Sequence, residues 1–306
     1  MTFTWPEGFR AGFASLVGRP NAGKSTLTNA LVGQKIAITS GRPQTTRHTV
    51  RGIVHREDGQ LVLVDTPGLH RPRTLLGERL NDLVHETMSE VDVVVFCLPA
   101  DEKVGPGDRY IASRIADLRT PVIAVATKAD KVDKQRLAEH LLAISALGDW
   151  AHVVPVSAVK GDQVDLLADL LLGEMPESPP LYPAGELTDE PESVMIAELV
   201  REAALEGVRD ELPHSLAAVV EEIIEREPRE GDTRPPLLNV HVLLYVERDS
   251  QKAIVIGKGG SRLRHVGTEA RKGIEALLGA RVYLDIHVKV AKDWQRDPKL
   301  LQRLGF

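Results

Sequence analysis

Residues Gly18-Arg19-Pro20-Asn21-Ala22-Gly23-Lys24-Ser25 fill every fixed position of the pattern Gly-x-x-x-x-Gly-Lys-Ser/Thr, and no other run constrains the fold as tightly. Its glycines let the backbone curl so that successive N–H groups aim at one anion. Lys24 would set a positive charge against the β- and γ-phosphates of a nucleotide, and the Ser25 hydroxyl would reach Mg²⁺. The flanks agree. The apolar run Phe13-Ala14-Ser15-Leu16-Val17 reads as a buried strand, and Leu27, Ala30 and Leu31 follow at helical spacing. A helix N-terminus then lies under the phosphates. Gly18, Asn21, Ala22, Gly23, Lys24, Ser25 and Thr26 are the contacts expected from this run.

The rest of the first half fits the same scheme. Apolar strands are expected at 12–17, 49–55, 61–65, 91–98, 121–127 and 152–157, with helices at 24–32, 75–88, 108–118, 134–146 and 162–172. That alternation implies an α/β domain with a mostly parallel sheet covered on both faces. Between the strands near 49–55 and 61–65 lies Asp58-Gly59, a hairpin signal. One antiparallel hairpin in a parallel P-loop sheet is the layout of Ras-like GTPases. The single cysteine, Cys97, sits in the run Val93–Leu98, which suits a core position and excludes a disulfide or a cysteine metal site. No apolar stretch approaches the 18 residues of a spanning helix, and the first residues lack the pattern of a signal peptide, so a cytoplasmic protein is expected.

Three further motifs fall at expected strand ends. Asp65-Thr66-Pro67-Gly68 would place a carboxylate toward Mg²⁺ and the Gly68 N–H toward the γ-phosphate. Thr127-Lys128-Ala129-Asp130 would read the base. A carboxylate at Asp130 can accept from both N1–H and the exocyclic amine of guanine, a donor pair that adenine lacks. Lys128 can lie over the base plane, and a backbone N–H in Ser157-Ala158-Val159 can meet the guanine carbonyl. These elements resemble those of the translation-factor-like GTPases, with one departure: Thr127 stands where that family has Asn, which puts one base or P-loop contact in doubt. Gln44-Thr45-Thr46-Arg47 is the expected switch, with Thr46 favoured over Thr45 as the second hydroxyl on Mg²⁺. Lys24, Thr46, Gly68 and Asn21 are the candidate catalytic residues. Leu69 occupies the position of the water-orienting Gln in Ras-type enzymes and cannot hydrogen-bond water, so slow, externally stimulated hydrolysis is expected. In related GTPases lacking that Gln, an asparagine at the position of Asn21 helps to bind K⁺; a tight-turn role is the alternative here.

Met175–Pro183 carries four prolines in nine residues and reads as a linker. The expected division is a nucleotide domain at 1–175, a linker at 176–190 and a second domain at 191–306. A helix near 192–208 precedes strand-like runs Leu216–Val220 and Asn239–Val246. A glycine loop, a helix and a last strand, Val282–Val288, complete the second domain. The net charge is −6, yet Lys252–Phe306 holds 12 basic against 5 acidic residues. That end suits a polyanion, a solvated basic face being the alternative. The run Val255-Ile256-Gly257-Lys258-Gly259-Gly260 resembles the KH-domain core, in which a Gly-x-x-Gly loop presses its backbone against single-stranded RNA. Gly257, Lys258, Gly259, Gly260, Arg262, Arg264 and Arg271 are the candidate RNA contacts, and Leu263, Val266, Ala270, Ile274 and Leu277 the buried face of the next helix. The strand order suits the type II KH variant.

A Ras-like domain followed by one α+β type II KH domain, together with Asp-Thr-Pro-Gly-Leu-His and the tail from Trp294 to Phe306, resembles the bacterial Era family. The resemblance implies a monomeric GTPase, using GTP/GDP and Mg²⁺, that binds 16S rRNA near its 3′ end during assembly of the small ribosomal subunit. It implies no DNA partner, and it allows peripheral membrane contact, for which the residues give no independent sign. Two other readings remain at this stage: a constitutive RNA-binding module whose nucleotide is structural, and a GTPase serving RNA modification. The second lacks the extra domain and the catalytic cysteine of that chemistry.

Overall fold

The computed structural model describes residues 5–39, 45–69, 72, 74–208, 212–226, 236–304 and 306. Gln44, His70 and Gly305, which belong to motifs above, lie outside them. Two compact units emerge, one holding most of the described residues up to Asp189 and the other consisting mainly of Glu190–Phe306.

The first unit runs β1 (Arg10–Val17), α1 (Lys24–Val32), β2 (Val50–His55), β3 (Gly59–Asp65), α2 (Leu75–Glu90), β4 (Val93–Pro99), α3 (Pro106–Ile115), β5 (Val122–Thr127), α4 (Lys134–Ser145), β6 (His152–Pro155) and α5 (Val164–Glu174). The strands order as β2-β3-β1-β4-β5-β6. Only β2 is antiparallel, paired with β3 through a turn that the Arg56 N–H closes by donating to Gly59 O at 2.8 Å. β4 shows why the strands read as unbroken apolar runs. Val93, Val95 and Cys97 enter the core under α1 and α5, while Val94, Phe96 and Leu98 enter the core under α2–α4. Each fully buried side chain of this kind contributes about 1.5–3 kcal/mol. Burial also pushes the Cys97 thiol up to about 12, so it stays protonated.

The proline-rich stretch, expected as a linker over 176–190, is hydrogen-bonded along the first unit. Pro176 O accepts from Ala11 N–H, and Gln60 accepts at Oε1 from the N–H groups of Leu181 and Tyr182 while donating to Tyr182 O. Further on, Ile53 N–H donates to Leu187 O and Arg51 pairs with Asp189 at 3.0 Å. The segment is a strap on the hairpin β2–β3. Its proline-fixed backbone leaves carbonyls and N–H groups that a buried Gln can satisfy.

The second unit runs α6 (Glu192–Leu205), α7 (Leu212–Ser215), β7 (Ala217–Arg226), β8 (Leu237–Val246), α8 (Asp249–Ile256), α9 (Ser261–Leu278), β9 (Arg281–Val290) and α10 (Pro298–Arg303). The sheet is ordered β7-β8-β9, with the first pair antiparallel and the second parallel. Ile196, Val200, Ala270 and Ile274 from α6 and α9 bury one sheet face. Trp294 is fully buried, donates its indole N–H to Ser215 O at 3.0 Å and stacks on Phe306. Two features differ from the sequence reading. β7 extends to Arg226 through six exposed residues, held by pairing with β8 across a bulge at Val220/Glu222. The glycine loop joins two helices, α8 and α9, rather than a strand and a helix.

Candidate functional site

The motifs of the first unit converge at the C-terminal ends of its parallel strands, the edge where open α/β sheets bind ligands. Gly23 has φ 89° and caps α1, so the loop hands over to the helix at Lys24. The Lys24 side chain is buried, and its ammonium donates to Gly18 O and Arg19 O at 3.3 and 3.2 Å. Burial pulls its pKa below the ordinary lysine value, against the attraction of Asp65. Asn21 has φ 63° and an exposed position at the bend of the loop.

Ser25, Thr46 and Asp65 meet at one point. The Ser25 hydroxyl donates to Asp65 Oδ2 at 2.6 Å and lies 2.9 Å from the Thr46 hydroxyl, which itself stands 3.4 Å from the same carboxylate oxygen. Asp65 is fully buried and its Oδ1 has no hydrogen-bond partner. Burial raises its pKa to about 6, against the opposing pull of Lys24, Ser25 and Thr46. Two hydroxyls and a carboxylate with one orphaned oxygen are the donor set that a hard divalent cation and its waters satisfy. Thr46 is therefore the threonine at this corner. The Thr66 hydroxyl faces elsewhere, donating to Leu16 O at 2.6 Å, so only its backbone remains for a ligand. Pro67 is buried, and Gly68 packs beside the loop. A Cβ on Gly68 would fall 2.6 Å from Pro20 N, and the Leu69 N–H donates to Gly18 O. The Leu69 side chain is buried in the core.

A cavity of about 150 Å³ adjoins this corner, lined among others by Gly23, Thr26, Thr127, Lys128, Asp130 and Ala158. Asp130 Oδ1 accepts from the Ser157 hydroxyl at 2.7 Å, which holds the carboxylate below its usual pKa. Ser157 in turn accepts from Lys160 N–H, and Val159 is 80% exposed at the rim. The doubt over Thr127 resolves in one direction: its hydroxyl donates to Ala22 O at 2.6 Å, so the tie to the loop is kept. Sequence reasoning missed the supports. Asp101 lies 3.4 Å from Lys128 Nζ, and buried Asp108 pairs with Arg19 at 2.6 Å, anchoring the loop to the start of α3. The position of Asp101 just beyond β4, another strand end, was the available signal.

In the second unit Gly257, Gly259 and Gly260 have φ 72°, 59° and 75°, and Lys258 and Gly259 are exposed. Gly260 at the end of the loop lines a groove of about 340 Å³ together with Leu263, Ile286, Arg264 and Arg271. Arg264 also donates to Gly259 O at 3.1 Å. Arg262 does not join them. Its guanidinium donates to Ala204 O and Glu206 O, closing the C-terminal end of α6, where helix carbonyls lack partners. Gly267 and Tyr283, which also line the groove, were not expected.

Comparison with known proteins agrees with this geometry. Residues 13–128 match the family described as 50S ribosome-binding GTPase, and residues 211–295 match the KH domain. The chain is 69% identical over 303 residues to GTPase Era of Streptomyces coelicolor, covering 97% of this chain and 95% of that protein. It is 66% identical over 301 residues to GTPase Era of Mycolicibacterium smegmatis, covering 97% and 99%. A crystal structure of Era in complex with MgGDPNP and nucleotides 1506–1542 of 16S ribosomal RNA superimposes with a TM-score of 0.91 at 35% identity, over 97% of this chain and 99% of that one. A single-residue variant of Aquifex aeolicus Era bound to GDP·AlF4⁻ gives the same values. With both halves matched and the likeness running almost end to end, the chain belongs to the Era family of GTPases.

Proposed function

We propose that this chain is a GTP-dependent switch that binds 16S rRNA near its 3′ end and acts in assembly of the small ribosomal subunit, as a cytoplasmic monomer. The observation that carries the reading is the near end-to-end likeness to Era bound to MgGDPNP and 16S nucleotides, with a nucleotide site in one unit and a basic glycine-loop groove in the other. Backbone N–H groups of Gly23, Lys24 and Ser25 cradle the phosphates, and Lys24 lies against the β/γ-phosphate oxygens. Ser25, Thr46 and Asp65 hold Mg²⁺, which when bound neutralises charge on the transferring phosphoryl group. Gly68 N–H senses the γ-phosphate, Asp130 reads guanine and Lys128 covers the base. Leu69 offers no hydrogen bond to an attacking water, so intrinsic hydrolysis is slow and waits on a stimulus. Gly257–Gly260, Arg264 and Arg271 hold single-stranded RNA. Among the described residues no helix is long and apolar enough to cross a membrane.

The deciding experiment measures binding of an RNA oligonucleotide from the 16S 3′ end at fixed salt, with the protein loaded with GDP or a non-hydrolysable GTP analogue. Tighter binding with the analogue is expected. Equal binding would leave a constitutive RNA-binding module, and no binding in either state would sink the RNA reading.

A further inference from the structure

The motif Thr127-Lys128-Ala129-Asp130 carries threonine where the usual pattern of translation-factor-like GTPases has asparagine, and the hydrogen-bond inventory at Thr127 has a consequence for the nucleotide. A hydroxyl has one hydrogen. That of Thr127 is committed to Ala22 O at 2.6 Å, where Thr127 is buried and pinned between strand end and loop. What remains on the oxygen are lone pairs, which can accept but not donate.

The elements around the cavity fix which edge of a purine Thr127 would face. Asp130, held by Ser157, presents acceptors, so it takes the N1–H and amine edge. Ala158 follows, where a backbone N–H suits O6. Thr127 is next to it, because Val156 N–H donates to Ala126 O and draws the ends of β5 and β6 together. On its other side Thr127 abuts the phosphate loop: a Cβ on Gly23 would lie 3.5 Å from Thr127 Oγ1. Between O6 and the phosphate end of a guanine nucleotide lies N7, an acceptor. Thr127 thus meets an acceptor with nothing to donate.

We propose that this chain reads guanine without using N7, so that base specificity rests on the carboxylate at Asp130 and the backbone near Ala158, and Thr127 serves only to hold the loop. The ligand class that follows is broader than guanine nucleotides proper: it includes guanine nucleotides altered at N7, such as 7-deaza forms, in which a C–H replaces the nitrogen. An asparagine at 127 would behave differently, because its amide has two hydrogens and can serve Ala22 O and N7 at once. This inference rests on the guanine pocket proposed above.

The test titrates the full chain, with Mg²⁺, against GDP and 7-deaza-GDP, with ADP as competitor. Wild type is expected to bind the two guanine nucleotides within threefold of each other. Thr127→Asn is expected to gain a preference for GDP of about three- to tenfold, the range of one neutral hydrogen bond. Thr127→Val, which removes the loop tie and adds no donor, should weaken both nucleotides by the same factor. A wild-type preference for GDP beyond threefold overturns the inference while the pocket stands, provided ADP fails to compete. Indifference to N7 in a Thr127→Asn protein that melts like wild type overturns it too. If ADP displaces GDP as well as GDP itself does, the guanine pocket is wrong and the inference falls with it. Should Thr127→Asn not fold, the wild-type ratio alone decides.

Discussion

The chain carries two glycine loops, each leading into a helix N-terminus, and the two are built in opposite ways. The first is enclosed. Gly68 lies so close to Pro20 that no side chain fits, Lys24 is buried, and Arg19 is pinned by Asp108. The second is open. Nothing lies within 4 Å of a Cβ built on Gly259 or Gly260, and Lys258, Arg264 and Arg271 stand in solvent. Enclosure makes one strong, desolvated cation decisive, because charge interactions gain strength away from water. An open loop works with several weaker, screened cations and with backbone that can follow a polymer. The first suits a compact ligand of fixed shape, the second a strand that continues past the site.

The largest effect expected from this difference is that of Lys24→Ala. Losing a buried cation with several charge-assisted hydrogen bonds to phosphate should weaken GDP and GTP binding about a hundredfold or more. RNA binding in the nucleotide-free protein should be unchanged. Parallel loss of both activities by this variant would mean the loops are not independent sites.

Next comes Gly257→Asp, the corresponding lesion in the open loop. Here the backbone has φ 72°, a Cβ would fall 2.7 Å from Arg262 Cβ, and a carboxylate would face phosphate. RNA affinity should fall about thirtyfold, from steric strain of about 1–2 kcal/mol plus repulsion. GDP affinity, measured on the same sample, should match wild type. Gly267→Leu sharpens the point by filling the groove beside Ile286 while leaving the loop intact.

These contrasts bear on how much of the molecule could be read in advance. The enclosed loop was legible because its chemistry demands fixed residue types at strand ends, and β1, β3 and β5 each announce themselves by an apolar run. The second unit was legible in its glycine loop and in the buried stripe of α9, but not in α7, α8 or the outer half of β7. Residues 221–226 are all exposed, so no alternation marks them as a strand; pairing with β8 decides it. Arg262 misled for a similar reason. Beside a phosphate-binding loop a cation suggests RNA, yet α6, far away in sequence, ends where its guanidinium can close the helix. The strap after Met175 was hidden because the partner of its prolines' neighbours is a single glutamine, Gln60, in another strand.

A smaller effect separates the loops by salt. With Lys258, Arg264 and Arg271 as three phosphate contacts, log affinity for RNA should fall with log salt at a slope of about −2, or tenfold between 0.1 and 0.3 M. Arg271→Ala should flatten that slope by about 0.7. GDP binding should change far less over the same range. Equal slopes for the two ligands would break the distinction between screened and enclosed cations.

The smallest effect concerns pH and belongs to the enclosed loop alone. Asp65 has a folded-state pKa of about 6, raised above the ordinary 3.8 by burial. A folded protein that holds the proton more tightly than the unfolded chain loses stability as pH rises between those two values. Below pH 4 the penalty is absent, and above 6 it is fully present, as the cost of a buried carboxylate whose Oδ1 has no partner. In EDTA the wild type should therefore lose stability relative to Asp65→Asn as pH is raised from 5 to 7, read as the difference in urea midpoints. Added Mg²⁺ should remove the loss above pH 6, where the ionised carboxylate can bind it, and should help little at pH 5. No variant in the open loop should show either behaviour, since Lys258, Arg264 and Arg271 are exposed rather than buried as Asp65 is. If the wild type and Asp65→Asn midpoints stay parallel in EDTA, Asp65 is not the strained partner of the metal site, and the enclosure of the first loop is electrostatically neutral.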